Sequence, residues 1–592
     1  MAINLRSLAT LFSTLCVALI SGAQTVWYNP LDAPIPFLNG RAWNEEIGKS
    51  FARMPERIRQ NMPGGVNYLA GQSAGMSVRF LSNSHEVLVR YTLTDNYDYK
   101  NMPPLNHSGV DLYATDANGK THWIGNHMAW DFKKNPGDTI VFAYRNISAP
   151  EFSDRGLAFE LFLPPYNTLK SLEIGVDEGA GFRFIPQSAE RPVVVYGSSI
   201  VHGASPSRPG LMWTTIMKRN TDYPVLNLGF SGCAYMEPAV FEAMSEIDAR
   251  AYILDPMPNS YSIGEEIYTR LMAGVKILRE KSTAPILFIE TAGGVDSVFR
   301  NDVNTAYRAG DAWMRKAYET LIGEGIKDIF YLSHDEIGMD EDCYIEGTHP
   351  NDIGNMRYAA ACTAKLREML PEDWAPARFS PIPQHRDGSY EWYDRHNEVI
   401  IRNHTQNPEV LLIGNSITHF WGGEPVSRNL GGDSFKKLSG KRSFTNMGFG
   451  WDRIENVFWR IIHGELEGCS PKHICLLIGV NNIYNGDSDE DITDGIVALA
   501  KIIRERQPKA KLHVIKVYPA AGLELRIAGL NALLEKKLPI DEFTDLLDFT
   551  DVLTLKDGSG KIDPTLFIEG EGLHPIEKGY ERLVKALKPH LK

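Results

Sequence analysis

Two serines lie in matching short motifs that are typical of a reactive hydroxyl. Ser199 ends the sequence Gly-Ser-Ser and precedes Ile200, and Ser416 ends Gly-Asn-Ser and precedes Ile417, 217 positions later. A serine hydroxyl is a weak nucleophile until a neighbouring base takes its proton. Each motif taken alone is also typical of an ordinary strand-to-helix turn in which a serine caps the helix. The chemistry therefore depends on whether a base recurs with each serine.

A histidine that follows a glutamate by three residues recurs in the same way. Glu346 and His349 stand in the order Glu-Gly-Thr-His-Pro, and Glu571 and His574 stand in the order Glu-Gly-Leu-His-Pro, 225 positions later. An imidazole base needs an acceptor that fixes its tautomer and orientation. Serine, histidine and carboxylate are thus present in both places, and together they predict acyl transfer.

A third block strengthens the repeat. The segment 227–230 (Asn-Leu-Gly-Phe) recurs at 446–449 (Asn-Met-Gly-Phe), 219 positions later and in the same order relative to the other blocks. Ordered matches at a nearly constant separation indicate an internal duplication. The last two thirds of the chain are therefore predicted to hold one domain type twice.

The elements that must position these residues are predicted from the apolar pattern. After residue 191, short apolar runs alternate with helical stretches, which is typical of a parallel sheet covered on both faces by helices. Each serine follows the first strand of its copy, at the sheet edge where open α/β folds bind ligands. The clearest runs are 193–196, 225–228, 252–254, 286–289 and 329–332 in the first copy, and 410–413, 474–478 and 512–517 in the second, with a long helix at 491–506.

The first part of the chain has a different pattern of apolar residues. Apolar and polar residues alternate at 76–80 and 87–91, which predicts antiparallel strands, and Asn118 with Gly119 predicts a hairpin turn. Residues 1–23 have one early positive charge, an apolar run and a small-residue end, which predict a signal peptide and a secreted or periplasmic location. The predicted organisation is a signal peptide at 1–23, a β-rich, sandwich-like domain at 24–188, and α/β domains at 189–375 and 376–592 with a proline-rich linker at 371–389.

The ordered blocks resemble the SGNH (GDSL-like) hydrolase superfamily. The second copy is also similar to the catalytic subunits of platelet-activating-factor acetylhydrolase at 446–450 and 457–460, and 109–113 (Gly-Val-Asp-Leu-Tyr) is similar to the Gly-x-Asp-Leu-Tyr module that precedes such hydrolases in bacterial proteins. The resemblance implies two flavodoxin-like three-layer α/β/α domains. It also implies Ser199, His349 and Glu346 as catalytic residues with Gly232 and Asn259 in an oxyanion hole, and Ser416, His574 and Glu571 with Trp451 and Asn481 in a second one.

Both copies depart from the family pattern at the acid. The family has aspartate where this chain has Glu346 and Glu571, so either the longer glutamate orients the histidine or it is only a solvated surface group. Asp342 and Glu569 are alternative acids. In the second copy Trp451 occupies the family's glycine position, where its indole is predicted either to flank the site or to pack in the core.

Composition excludes several function classes. A net charge of −13 and a pI of about 5.7 argue against a nucleic-acid partner, which requires a basic surface. No later segment has about 20 uninterrupted apolar residues, so no transmembrane segment is predicted. Five cysteines remain after the predicted cleavage, too sparse and odd for a disulfide framework and without zinc-site spacing, and the chemistry requires no metal or cofactor.

The leading functional hypothesis is a serine esterase that hydrolyses carboxylic esters, with acylated carbohydrate as its substrate and acetyl as the acyl group. One alternative is a lipid or lysophospholipid acyl hydrolase. Another is a chain in which one α/β domain is active and the other, with Trp451, has kept the fold as a carbohydrate-binding module.

Overall fold

The computed structural model describes residues 24–592 except 34–35, 117–118, 126–134, 149–155, 295–301, 371–375, 377, 387 and 427. The predicted signal peptide, Asn118 of the predicted hairpin turn and the first part of the predicted linker lie outside the described residues. Among the described residues, no helix combines the length and the apolar character that crossing a membrane requires.

The amino-terminal part is an antiparallel β sandwich. Its sheets have the orders β1-β9-β4-β7 and β10-β3-β8-β5-β6, with β2 beside β3. Burial alternates along β4, and both sheets contribute to one core that includes Phe80, Val89 and Phe142, which confirms the β-rich prediction. The strands are β1 Thr25–Tyr28, β2 Leu38–Asn39, β3 Ser77–Ser82, β4 Val87–Leu93, β5 Asp111–Thr115, β6 Thr121–Trp123, β7 Ile140–Tyr144, β8 Leu157–Phe162, β9 Leu169–Asp177 and β10 Phe182–Phe184, and the helices are α1 Asn44–Ile47, α2 Glu56–Arg59, α3 Gly64–Leu69 and α4 Pro104–Ser108.

The first α/β unit is built on a parallel sheet in the order β12-β11-β13-β14-β15. Val194 and Tyr196 of β11 face one helical layer, and Val193 and Val195 face the other, so the strand is apolar at every position. The strands are β11 Val193–Gly197, β12 Val225–Gly229, β13 Ala251–Asp255, β14 Ile286–Ile289 and β15 Ile329–Leu332, and the helices are α5 Ser199–His202, α6 Trp213–Thr221, α7 Pro238–Ser245, α8 Met257–Ser260, α9 Glu266–Arg279, α10 Asp302–Gly323, α11 His334–Ile337 and α12 Asp352–Met369.

The second α/β unit repeats this topology in the order β17-β16-β18-β19-β20. Both units therefore have the 2-1-3-4-5 order of flavodoxin-like folds, which confirms the predicted fold class. The strands are β16 Val410–Gly414, β17 Phe444–Gly448, β18 His473–Leu477, β19 Lys511–Ile515 and β20 Thr544–Leu547, and the helices are α13 Trp392–Gln406, α14 Ser416–His419, α15 Ser434–Ser439, α16 Ile454–Arg460, α17 Val480–Tyr484, α18 Asp489–Arg506, α19 Glu524–Lys537, α20 Thr550–Leu553 and α21 Glu577–Leu587.

Some predicted bounds shift by one or two residues. The strand predicted at 512–517 ends at Ile515, because the Val517 backbone N–H leaves the ladder and donates to Asn531 Oδ1 at 2.9 Å.

Residues 378–386 of the predicted linker lie against the second unit, where Gln384 Nε2 donates to the Gly450 carbonyl at 2.9 Å.

A buried charge cluster joins the two α/β units. Glu190, which precedes β11, places Oε2 2.7 Å from His463 Nδ1 and Oε1 3.7 Å from His396 Nε2. His396 Nδ1 in turn lies 2.9 Å from Glu465 Oε1. Burial acts to lower the pKa of His396, but its contacts with Glu190 and Glu465 prevail and raise that pKa above its ordinary value of 6.5.

We expect the interface to weaken as the pH rises. A group whose folded-state pKa is raised stabilises the fold fully below its unfolded pKa, and this stabilisation is lost as the pH rises through the folded pKa. Thermal unfolding across a pH series should show that His396→Gln lowers Tm most below pH 6.5, with the difference narrowing at higher pH. The control is His404→Gln, on the same helix, where the histidine is exposed. A His396→Gln difference that is constant with pH would contradict this expectation.

Candidate active sites

Local sequence explains why both serines stand at the end of a central strand. β11 ends at Gly197, where a side chain would place Cβ 2.5 Å from the Asp255 carbonyl oxygen, so glycine is required for the close approach. Ser198 then caps α5, its Oγ accepting from the Ile200 N–H at 3.3 Å, and Ser199 begins the helix. In the second unit Asn415 is the cap and Ser416 begins α14.

The Ser199 site, defined here as Ser199, His349 and Glu346, joins the two ends of the first unit. Ser199 Oγ lies 2.8 Å from His349 Nε2, across 150 residues of chain. The other ring nitrogen, His349 Nδ1, contacts Glu346 Oε1. The Glu346 carboxylate also accepts from the His349 backbone N–H at 3.0 Å, so the acid is bound to both the ring and the backbone of its partner.

The Ser416 site, defined as Ser416, His574 and Glu571, has the same arrangement. His574 Nε2 lies 2.8 Å from Ser416 Oγ, and His574 Nδ1 contacts Glu571 Oε1. Both serines are more than nine-tenths buried, whereas both glutamates are partly exposed. In each unit the structure thus brings together hydroxyl, imidazole and carboxylate in the order that acyl transfer requires.

The alternative acids do not take part in these contacts. Asp342 lies in a short 3-10 turn, and its backbone carbonyl accepts from Asn351 Nδ2. Glu569 is exposed. The carboxylates that contact the two imidazoles are therefore those of Glu346 and Glu571, one methylene longer than the family's aspartate.

The loops after β12 and β17 carry the predicted backbone donors. Gly232 and Trp451 have φ angles of 68° and 64°, so the same left-handed turn is present in both units, with glycine in one and tryptophan in the other. Asn259 Oδ1 accepts from the Ala234 N–H at 3.2 Å, and Asn481 Nδ2 donates to the Asp452 carbonyl at 2.9 Å. Each asparagine is therefore bound to the loop of its own unit.

The Trp451 indole lies at the surface. Its exposed fraction is 52%, so it is not a core aromatic, and the residue instead presents a large ring beside the loop. Left-handed backbone is unfavourable for a residue with a Cβ atom, and it costs about 1–3 kcal/mol. The glycine at the same position in the first unit bears no such cost, so the tryptophan distinguishes the loop of the second unit from that of the first.

The structure adds a histidine in each unit that sequence reasoning did not identify. His202 and His419 stand three residues after the serines, and their Nδ1 atoms accept the backbone N–H of Ser231 at 3.4 Å and of Gly450 at 3.1 Å. Burial, with Arg395 and Arg460 nearby, lowers the pKa of His419 to about 2, so this ring is neutral and able to accept. The signal was present in the sequence, since the histidines recur at the same offset as the serines.

Comparisons with known proteins agree with this architecture. Two models of the GDSL-like lipase/acylhydrolase family match residues 190–367 and 412–582, and a module described as the N-terminus of SGNH-hydrolase-type esterases matches residues 25–182. Platelet-activating factor acetylhydrolase IB subunit alpha2 from Rattus norvegicus is 29% identical over 223 residues, which are 37% of this chain and 91% of that protein.

Two further relatives show the family. Platelet-activating factor acetylhydrolase IB subunit alpha1 from Homo sapiens is 31% identical over 174 residues, 29% of this chain and 68% of that protein. The crystal structure of a GDSL-like lipase from Bacteroides ovatus has 30% sequence identity to this chain and a TM-score of 0.53. The matched region is 59% of this chain and 98% of the lipase chain. The chain belongs to the GDSL-like lipase/acylhydrolase family, with a duplicated hydrolase domain, and is a carboxylic-ester hydrolase.

We expect Asn481→Ala to reduce turnover at the Ser416 site far more than it reduces stability. Loss of one oxyanion donor typically lowers kcat by about 10²–10³-fold, whereas a lost neutral hydrogen bond costs about 1 kcal/mol. The measurement is kcat for p-nitrophenyl acetate in a Ser199→Ala background, together with Tm.

The matched control for this experiment is Asn485→Ala, an exposed amide one turn further along the chain. Equal kcat values for the two variants would show that Asn481 does not bind the oxyanion. Asn259→Ala in a Ser416→Ala background should behave as Asn481→Ala does.

Proposed function

We propose that the chain deacylates glycans at two independent sites, one at Ser199 and one at Ser416. The observation that carries this proposal is the recurrence of the same contacts in both units, with each serine hydroxyl 2.8 Å from an imidazole that contacts a glutamate. One such contact arises easily in a fold of this size. Two that occupy equivalent positions in duplicated domains argue for a retained chemistry.

The proposed reaction follows from these contacts. Ser199 Oγ attacks the acyl carbonyl carbon while His349 Nε2 takes the hydroxyl proton, and the carbonyl oxygen becomes an anion facing the loop amide and Asn259. The ester C–O bond then breaks, and the imidazolium gives its proton to the sugar oxygen, which leaves as a hydroxyl group. Water, deprotonated by the same imidazole, releases the carboxylic acid and restores the serine. The Ser416 site performs the same steps with its own residues.

Exposed aromatic side chains in the second unit and in the amino-terminal domain favour a sugar substrate. Trp451 and Tyr484 in the second unit are 52% and 55% exposed, and the pKa of Tyr484 is raised by partial burial and by the nearby Glu571 carboxylate. In the amino-terminal domain Tyr68 and Tyr97 are exposed, with rings 6.4 Å apart. Exposed rings of this kind present flat apolar faces of the size of a pyranose ring.

Two further observations support the choice of acyl group and compartment. The relatives are named as acetylhydrolases, which favours acetyl as the group removed. The sequence of residues 1–23 predicts export, which favours a polymeric glycan outside the cytoplasm.

Serine variants test whether both sites are active. On p-nitrophenyl acetate, Ser199→Ala and Ser416→Ala should each retain the activity of the other site, and the double variant should lose at least about 10³-fold, since removal of the nucleophile leaves only oxyanion and binding effects. Ser439→Ala, a partly exposed serine of the second unit, is the control. A double variant with full activity would contradict the proposal, and an unchanged Ser416→Ala variant would assign the second unit to binding.

Substrate panels separate the glycan proposal from the lipid alternative. We expect acetate release from acetylated xylan oligosaccharides to exceed acyl release from lysophosphatidylcholine, and Trp451→Ala to raise KM for the oligosaccharide in a Ser199→Ala background while leaving p-nitrophenyl acetate hydrolysis nearly unchanged. Preference for the lysophospholipid would favour the lipid hydrolase instead.

A further inference from the structure

A fully buried arginine lies beneath the loop of the Ser199 site. Arg53 Nη1 donates to the carbonyl oxygens of Asn227 at 2.7 Å and Gly229 at 3.0 Å, where β12 ends and the loop begins. Its guanidinium also lies over the Phe230 ring, 5.2 Å from the centroid. The position of the loop amides after Gly229 therefore depends on this cation.

The Ser416 site has the same feature, built from another part of the chain. Arg395 donates through Nε to the Gly448 carbonyl and through Nη2 to the Asn446 carbonyl, both at 2.8 Å, and lies 5.3 Å from the Phe449 ring centroid. Gly448 and Asn446 are the repeat equivalents of Gly229 and Asn227. Arg53 and Arg395 thus donate to equivalent carbonyls and lie over equivalent rings, although the two arginines do not stand at repeat-equivalent positions of the chain.

The source of the two arginines differs. Arg395 lies on α13, a helix of the second unit. Arg53 belongs to the amino-terminal domain, where its remaining donors reach the carbonyls of Leu69 at 2.7 Å and Gln72 at 3.0 Å. The first unit alone therefore lacks a contact that the second unit provides for itself.

A second contact from the amino-terminal domain reaches the same site. Asn101 Nδ2 lies 3.3 Å from His349 Nδ1, so the loop that follows β4 contacts the imidazole on the side of Glu346. The domain thus meets the Ser199 site at both its loop and its base. Arg53 is buried and has no ion pair among the described residues, so the backbone carbonyls that it contacts must compensate the cost of burying its charge.

We propose that Arg53 is a positioning residue of the Ser199 site, through which the amino-terminal domain holds the loop that supplies the oxyanion donor, as Arg395 does within the second unit. This inference rests on the proposed reaction at Ser199. The amino-terminal domain is accordingly part of the first active site, whereas the second unit supplies the corresponding arginine of the second site itself.

The test uses the full chain with Ser416→Ala, so that only the Ser199 site turns over. Arg53→Lys keeps the charge but cannot reach four carbonyls, and we expect kcat for p-nitrophenyl acetate to fall about 10–100-fold with KM within two-fold, since the loop donor acts mainly in the transition state. Arg395→Lys in a Ser199→Ala background should likewise lower kcat while leaving KM within two-fold.

Arg57→Ala is the matched control. Arg57 joins the same domain to the first unit by donating to Glu246 at 3.0 and 2.8 Å, but it is exposed and does not contact the loop. We expect this variant to keep kcat.

Hydrogen exchange gives the second readout and separates positioning from folding. In Arg53→Lys, peptides spanning 225–236 should exchange faster while peptides spanning 444–455 do not. Unchanged kcat, an equal loss in Arg57→Ala, or exchange throughout the first unit with a collapsed Tm would each overturn the positioning role. If the Ser416→Ala protein with native Arg53 has no esterase activity, the proposed function fails at Ser199 and this inference fails with it.

Discussion

The hydrogen bond between a serine hydroxyl and an imidazole from the far end of the same unit is the constraint on which the rest of the structure depends. It joins residues 150 positions apart in one unit and 158 apart in the other. A contact of this range forms only if the whole parallel sheet assembles, because the serine follows the first strand and the histidine follows the last. The unbroken apolar strands and the glycine at the end of each first strand serve this geometry.

Duplication followed by divergence explains what the two sites share and where they differ. They share the loop turn, with φ angles of 68° and 64°, and the buried histidine that accepts a loop amide. They differ in the residue that occupies this turn, which is Gly232 in one unit and the exposed Trp451 in the other. They also differ in what holds this loop, because the first unit relies on an arginine from the preceding domain and the second unit provides its own arginine.

Much of the fold was predictable because the repeat and the apolar runs are local patterns. A few residues suffice to predict the strands at 193–197 and 410–414 and the serines that follow them. The structure confirms the α/β class. His202 was predictable from the repeat, because it and His419 are separated by the same 217 positions as the two serines. Arg53 could not be predicted, since its role is defined by carbonyl groups more than 170 residues away and no pattern in the chain marks that distance.

The most direct test of the central claim is fluorophosphonate labelling of the full chain followed by peptide mapping, because the probe reports activated serines without knowledge of the substrate. The account predicts covalent labelling at both Ser199 and Ser416, with His349→Ala abolishing the first label only and His574→Ala the second only. Labelling at neither serine, or labelling that persists when the histidine of the same unit is removed, would contradict it.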